Sequence, residues 1–381
     1  MKKIYTIFIM IISLICFSGC SNNKIEENID TEENKISIIT TIFPPYDFAK
    51  QIGEDKIDVK MLLKPGEESH SYEPTPKDIK DIQEADLFIY VGGENDVWVE
   101  DILNSMGENK PDTLKLLDSV PTLEEEIVEG MEDSHQNHDH DEEHEHEEEH
   151  THDEEEHAHN EEEHAHNEEE HTHNEEEHTH NEEEHTHNEE EHAHDEEEHD
   201  EEHNHNVIDE HVWTSPKNAI LIVQEITKII CEKDSENTEF YNANSEKYIE
   251  QLEELDSKFR EVVSNSTKKT MIFGDRFPFR YFANEYGLNY YAAFSGCSTE
   301  TEASPKTIAF LIDKVKENEI NTVFTIEFSN GKIADSIVDS TDAKKMTFNS
   351  CHNLTKEQLE NGATYLSLME ENVETLKEAL N

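Results

Sequence analysis

After Met131, no apolar residue larger than alanine occurs until Val207. A stretch of that length with no side chain for a core dictates what the rest of the chain must do. Units of the form EEEHAHN and EEEHTHN recur every seven residues from Glu154 to His194, but without apolar a and d positions this period is not a coiled-coil heptad. Ordering a residue costs about 1–2 kcal/mol of backbone entropy, and nothing here is buried to offset it. Residues 131–206 are therefore expected to be a disordered His/Glu-rich insertion, leaving 305 residues to build the fold. The insertion also dominates the charge. It holds 36 of the 93 acidic residues and 22 of the 25 histidines without one Lys or Arg, so a formal net charge of −63 falls to −27 for the remainder. That remainder has no cluster of Lys and Arg to contact phosphates, which argues against a nucleic-acid partner.

The N-terminus sets the compartment. Lys2 and Lys3 precede an apolar run, Ile4 to Phe17, of the length of a signal-peptide core and short for a membrane span. The run ends in Phe17-Ser18-Gly19-Cys20, which resembles a bacterial lipobox. Residues 1–19 are thus expected to be a cleaved signal peptide, Cys20 the lipidated residue, and 20–35 a polar tether that anchors the protein outside the cell membrane. With Cys16 cleaved away and Cys20 lipidated, Cys231, Cys297 and Cys351 remain. Cys297 and Cys351 each follow a strand-like run in one lobe and are the expected disulfide of an oxidising compartment. Cys231, within the apolar helical run AILIVQEITKIIC, reads as a buried free thiol.

The remainder alternates strands and helices. Strand-like runs at 36–42, 59–63 and 87–91 are each followed by a turn and a helical pattern. Beyond the insertion come a helix over about 216–231, a charged helical stretch over 239–263, and a second series of strands at 270–273, 288–294, 322–327 and 345–348, closed by a helix over 356–380. The plan is two α/β lobes with a long helix between them: an N-terminal metal-binding lobe at 36–236 that contains the insertion, a linking helix at 237–266 and a C-terminal lobe at 267–381. TPKD at Thr75, SPKN at Ser215 and SPKT at Ser304 each pair a hydroxyl N-cap with Pro at the first helical position, and so mark sharp helix starts. Two of the three histidines outside the insertion, His70 and His211, lie just upstream of such caps, on the edge of an open α/β sheet where ligands bind. Imidazole is the common nitrogen ligand of Zn2+, and carboxylates complete such sites.

Those stretches resemble a known family. HSYEPTPKDIKDIQEADLFIYVG from His70 and HVWTSPKNA from His211, with FRYFANEYGL, TETEASPKTIAFLIDKV and the final amphipathic helix, are similar to the metal-binding lipoproteins of bacterial ABC importers for zinc and manganese, the ZnuA-like cluster A-I group. The similarity runs from about Ile36 to Leu380 outside the insertion. It implies two (β/α)4-type lobes joined by a long rigid helix, one metal ion in the interlobe cleft, and a monomer that delivers its cargo to an ABC permease in the membrane. By that resemblance His70 and His211 match the first two histidine ligands. The third histidine, in a pattern like H-x-A-F-x-Y, falls on Arg276 of GDRFPFRYF, and arginine stays protonated and cannot ligate. Asp275 beside it either contributes an oxygen or pairs with Arg276. After the last strand the nearest match is Asn349, with His352 the candidate three residues on. Glu327, at a strand end, is a further candidate ligand or a cap, and Glu302 matches the glutamate of an E-P-S motif with a supporting role.

The insertion then has a reading. Its H-x-H pairs, His157 and His159, His164 and His166, His171 and His173, His178 and His180, His185 and His187, each put two imidazoles within reach of one cation, among carboxylates that concentrate cations nearby. A many-site, weak collector of metal is expected beside one ordered site, with a solvated linker as the plain alternative. Imidazoles favour Zn2+ as the cargo, with Mn2+ as the alternative. A surface zinc buffer or adhesin is the competing role. A metallohydrolase is disfavoured because no H-E-x-x-H helix occurs, so no enzyme is expected.

Overall fold

Alternate residues of the apolar runs belong to different core layers, as strands covered by helices on both faces require. In Ile36–Thr40 (β1), Ile36 and Ile38 join the main core and Ile39 a second cluster; in Leu87–Tyr90 (β3), Leu87 and Ile89 divide from Phe88 and Tyr90 in the same way. The computed structural model describes residues 35–68, 72–131, 207–298 and 302–381. Cys20, His70 and the ten paired histidines of the insertion lie outside the described residues.

In chain order the described elements are β1, α1 (Phe43–Gly53), β2 (Ile57–Met61), α2 (Pro76–Glu84), β3, α3 (Val97–Met106), β4 (Asp112–Lys115), α4 (Pro216–Lys233), α5 (Thr238–Asn265), β5 (Thr270–Phe277), α6 (Arg280–Tyr286), β6 (Asn289–Ser295), α7 (Pro305–Glu317), β7 (Thr322–Thr325), α8 (Lys332–Val338), β8 (Lys344–Thr347), α9 (Lys356–Glu360) and α10 (Tyr365–Ala379). They form two four-stranded sheets, ordered β2-β1-β3-β4 and β6-β5-β7-β8, with every pairing parallel. Each sheet reverses its winding between two central strands, β1 and β3 in the first and β5 and β7 in the second. Such reversals leave a crevice at the carboxyl ends of the strands.

The helices α2, α4 and α7 begin at Pro76, Pro216 and Pro305, as the TPKD, SPKN and SPKT motifs predict. Thr75, Ser215 and Ser304 accept from the N–H three residues on, and Asp78 closes a full capping box on Thr75. The 28-residue α5 is the long helix between the lobes, and Tyr241, Tyr248, Leu252, Leu255, Phe259 and Val262 make its buried stripe. That stripe, the inner faces of both sheets and α10 form one continuous core. A shared core of this kind joins the lobes rigidly, since separating them would expose it.

Two elements depart from the sequence reading. β4 has the sequence DTLK, in which Leu114 alone is buried, so periodicity gave no sign of it. The single closing helix is instead two, broken at Asn361-Gly362, where Gly362 takes φ 74°, a left-handed conformation that suits glycine and ends a helix. The stem of the insertion is described: Glu125 N–H donates to the Val207 carbonyl at 2.8 Å and Asp209 N–H to the Leu123 carbonyl at 2.9 Å, so the chain leaves and re-enters through one short antiparallel ladder.

Candidate metal centre

His211 follows the stem's returning segment, immediately before the Val212–Thr214 turn that leads into α4, and it is fully buried. The Asp209 carboxylate accepts both the His211 backbone N–H, at 2.9 Å, and its ring Nδ1–H, at 3.0 Å. With the proton held on Nδ1, the ring presents its lone pair at Nε2, the tautomer that a metal needs. Asp209 is fixed in turn, because its carbonyl accepts from Tyr281 Oη of the C-terminal lobe at 2.8 Å.

The C-terminal lobe brings a second imidazole to the same place. His352, in the loop after β8, lies edge-on to His211 with ring centroids 4.8 Å apart, and Trp213 packs against it at 4.7 Å. Zinc–nitrogen bonds of about 2.0–2.1 Å at tetrahedral angles put two ring centroids on one ion roughly 5 Å apart, so this spacing suits a shared cation. Behind His352, Glu327 at the end of β7 accepts from Ser350 Oγ at 2.6 Å, Ser350 N–H at 2.7 Å and His352 N–H at 3.2 Å, and Ser350 Oγ lies 3.2 Å from His352 Nδ1. Burial raises the Glu327 carboxyl above the usual range against the pull of those donors. The carboxylate thus braces the loop that holds His352.

Loops from the facing strand ends line the cleft. Thr41 and Ile42 follow β1, Leu63 follows β2 and Val91 follows β3 in one part of it; Ile326, Glu327 and Ser350 line the adjoining part, and His352 lines both. Among the described residues no three His, Cys, Asp or Glu side chains converge closely enough to hold a metal by themselves. His70, outside those residues, follows the loop whose Glu67 and Glu68 line the cleft.

Three expectations change. Asp275 is buried within β5, where its oxygens accept the N–H groups of Arg276 at 2.9 Å and Ile326 at 3.3 Å, so it braces backbone. Arg276 pairs with Glu68 of the other lobe, at 2.7 Å, and not with Asp275. Cys297 and Cys351 are free thiols, and no disulfide joins them: Cys297 N–H is bound to Glu125 of the insertion stem, whereas Cys351 is buried in the main core with its sulfur toward the Asn349 carbonyl. Cys231, expected to be buried, is a partly exposed free thiol. Sequence reasoning missed Asp209 and Asp96. Asp209 was legible in principle, since a carboxylate two residues before a candidate ligand histidine is well placed to orient it.

Asp96 lines the cleft beside Glu210 and accepts the N–H groups of Val91 and Gly92 at 2.8 and 2.9 Å. Burial, with the Glu210 charge adding to it, pushes its pKa up to about 7 from 3.8. The folded chain then keeps a proton up to about pH 7 that the unfolded chain releases near pH 4, so stability falls as pH rises through that window and is level above it. Asp96→Asn is expected to remove this part of the slope and to stabilise the metal-free chain at pH 8 by up to roughly 4 kcal/mol, as read by chemical denaturation at pH 5 and pH 8. An unchanged slope would contradict the assignment.

Two parallel α/β lobes on a shared linking helix, with imidazoles meeting at their facing strand ends, define a two-lobed solute-binding protein. Its family is equally plain. The chain belongs to the zinc-uptake complex component A periplasmic family, whose model matches residues 38–379. It is 29% identical over 379 residues to the high-affinity zinc uptake system protein ZnuA of Bacillus subtilis (strain 168), covering all of this chain and 98% of that protein. It is 28% identical to the zinc-binding lipoprotein AdcA of Streptococcus pneumoniae (strain ATCC BAA-255 / R6), 99% of this chain matching 61% of that longer protein. Among solved structures, the Zn(II)-bound ZnuA-like domain of Streptococcus pneumoniae AdcA superposes with a TM-score of 0.62 at 25% identity, over 91% of this chain and 99% of that one. The metal-dependent lipoprotein YcdH of Bacillus subtilis gives 0.64 at 27%, with the same coverage.

Proposed function

We propose that this chain captures Zn2+ in the interlobe cleft, outside the cell membrane, and delivers it to an ABC permease for uptake. The observation that carries this reading is the meeting of His211, its tautomer set by Asp209, with His352 from the other lobe. Membership of a zinc-uptake family supports the cargo and the direction of transport. The ligand set is His70, His211 and His352, with Glu327 bracing His352 and able to turn an oxygen to the ion, and Asp275 holding the strand end behind them. Mn2+ is the alternative cargo, and a zinc titration in competition with Mn2+ decides between them: retention of one tight equivalent under excess Mn2+ supports zinc. In this reading Cys20 carries the lipid anchor and the receptor acts as a monomer.

The His-rich insertion is a weak collector feeding the ordered site. What supports this is the described stem: residues 123–125 pair with 207–209 in a ladder that runs directly into the His211 segment. Replacing 132–206 by a short Gly-Ser linker is expected to retain the single tight zinc equivalent by calorimetry and to abolish the weak ones. Loss of the tight equivalent, in a chain that still unfolds cooperatively, would show the insertion to be part of the site. Because imidazole must be neutral to ligate, the weak sites of the insertion bind zinc less well as acidity rises.

A further inference from the structure

Position 276 carries arginine where the family resemblance expects a ligand, and the structure shows what that side chain does instead. β5 slips register against β6 between Phe273 and Arg276, and a slip of this kind re-aims the side chains around it. Asp275 pins the slip through the two backbone N–H groups that it accepts. Arg276 reaches across the cleft: Nη2 donates to Glu68 Oε1 at 2.7 Å and Nη1 to the Ser298 carbonyl at 3.4 Å. The guanidinium side is only 14% exposed against 39% for Glu68, so solvent screens the pair from one side alone.

Glu68 ends the described part of the loop after β2, two residues before His70. Upstream, that loop is already docked on the C-terminal lobe. Asn353 Nδ2 donates to the carbonyls of Lys64 at 2.7 Å and Glu67 at 2.9 Å, and Gly66 N–H donates to the Leu354 carbonyl at 2.9 Å. The Arg276–Glu68 pair fastens the last described residue of this docked run.

We propose that Arg276 is a positioning residue for zinc capture: its ion pair with Glu68 clasps residues 64–68, of which Glu67 and Glu68 line the cleft together with His352, to the C-terminal lobe and sets how long the cation stays. This rests on the receptor reading above. Two effects of Arg276 have opposite signs. As a bare positive charge beside a cation site it repels zinc, so its removal would slow release; as a clasp it holds one wall of the cleft against the other, so its removal speeds release. A charge-assisted pair of this geometry, shielded on one side, favours the clasp.

The test is zinc dissociation from the full chain loaded with one equivalent after its weak sites are stripped with nitrilotriacetate, followed by stopped-flow transfer to a fluorescent chelator. Arg276→Ala and Glu68→Ala are each expected to speed dissociation about tenfold, the loss of one partly shielded pair. The double variant should be no faster than either single, and the exchanged pair Arg276→Glu with Glu68→Arg should recover most of the wild-type rate. Arg276→Lys and Glu68→Gln, which disturb the fold least, should fall between, and they carry the test if an alanine variant does not fold. Unchanged or slower release from Arg276→Ala, or additive effects of the two single variants, would overturn the clasp. Absence of a tight equivalent in the wild-type chain, or a His211→Ala variant that releases zinc as the wild type does, would overturn the receptor reading instead.

Discussion

His211→Ala is expected to abolish the tight zinc equivalent of the full chain while the weak equivalents of the insertion persist. The ring is fully buried at the meeting point of the lobes, and its tautomer is held by Asp209, so the substitution removes a nitrogen already oriented for the ion. Loss of an orienting partner alone costs about 10–100-fold in metal affinity. Asp209→Asn should therefore weaken the tight equivalent by that factor, and removal of the ligand itself should weaken it by more than about a hundredfold. Calorimetric titration separates the two classes of site. A tight equivalent that survives His211→Ala would show that the cation binds elsewhere.

The second large effect concerns the wall of the same cleft. Trp213 is 1% exposed, donates from Nε1 to the Ser350 carbonyl at 2.7 Å, and accepts at its own carbonyl from Tyr365 Oη at 2.6 Å. One side chain thus joins the stem of α4 to the loop that carries His352. Trp213→Ala is expected to destabilise the metal-free chain by about 3–5 kcal/mol in chemical denaturation, from lost burial and a cavity that the rigid surroundings cannot close. A loss below about 1 kcal/mol would mean that the site collapses onto the gap. Trp213→Phe, which keeps most of the volume but not the Nε1 donor, should cost less and leave Ser350 without that bond.

Much of the fold was legible because its signals are local. The Pro-led caps at Thr75, Ser215 and Ser304 and the apolar runs of β1, β3 and β5 depend on neighbouring residues, and the structure places those elements within a few residues of the reading. β4 was not legible, since a strand with one buried residue in four owes its state to pairing with β3. The site divides along the same line. His211 could be read from its motif, and His352 could be noted as a candidate, but the 4.8 Å approach of their rings is a product of how the shared core sets one lobe on the other. Arg276 was visible as a missing ligand; its partner Glu68, 208 residues away, was not. The Cys297 and Cys351 pairing failed for the converse reason. Both follow strands of one lobe, yet Cys297 faces the insertion stem and Cys351 the main core.

The measurement that most directly tests the central claim is anomalous diffraction at the zinc edge from zinc-loaded crystals of the mature chain. One strong peak about 2.0–2.1 Å from His211 Nε2, with His70 and His352 as further nitrogen ligands, is the predicted result. A strong peak away from the cleft, or His70 and His211 turned to different surfaces around an empty cleft, would contradict it.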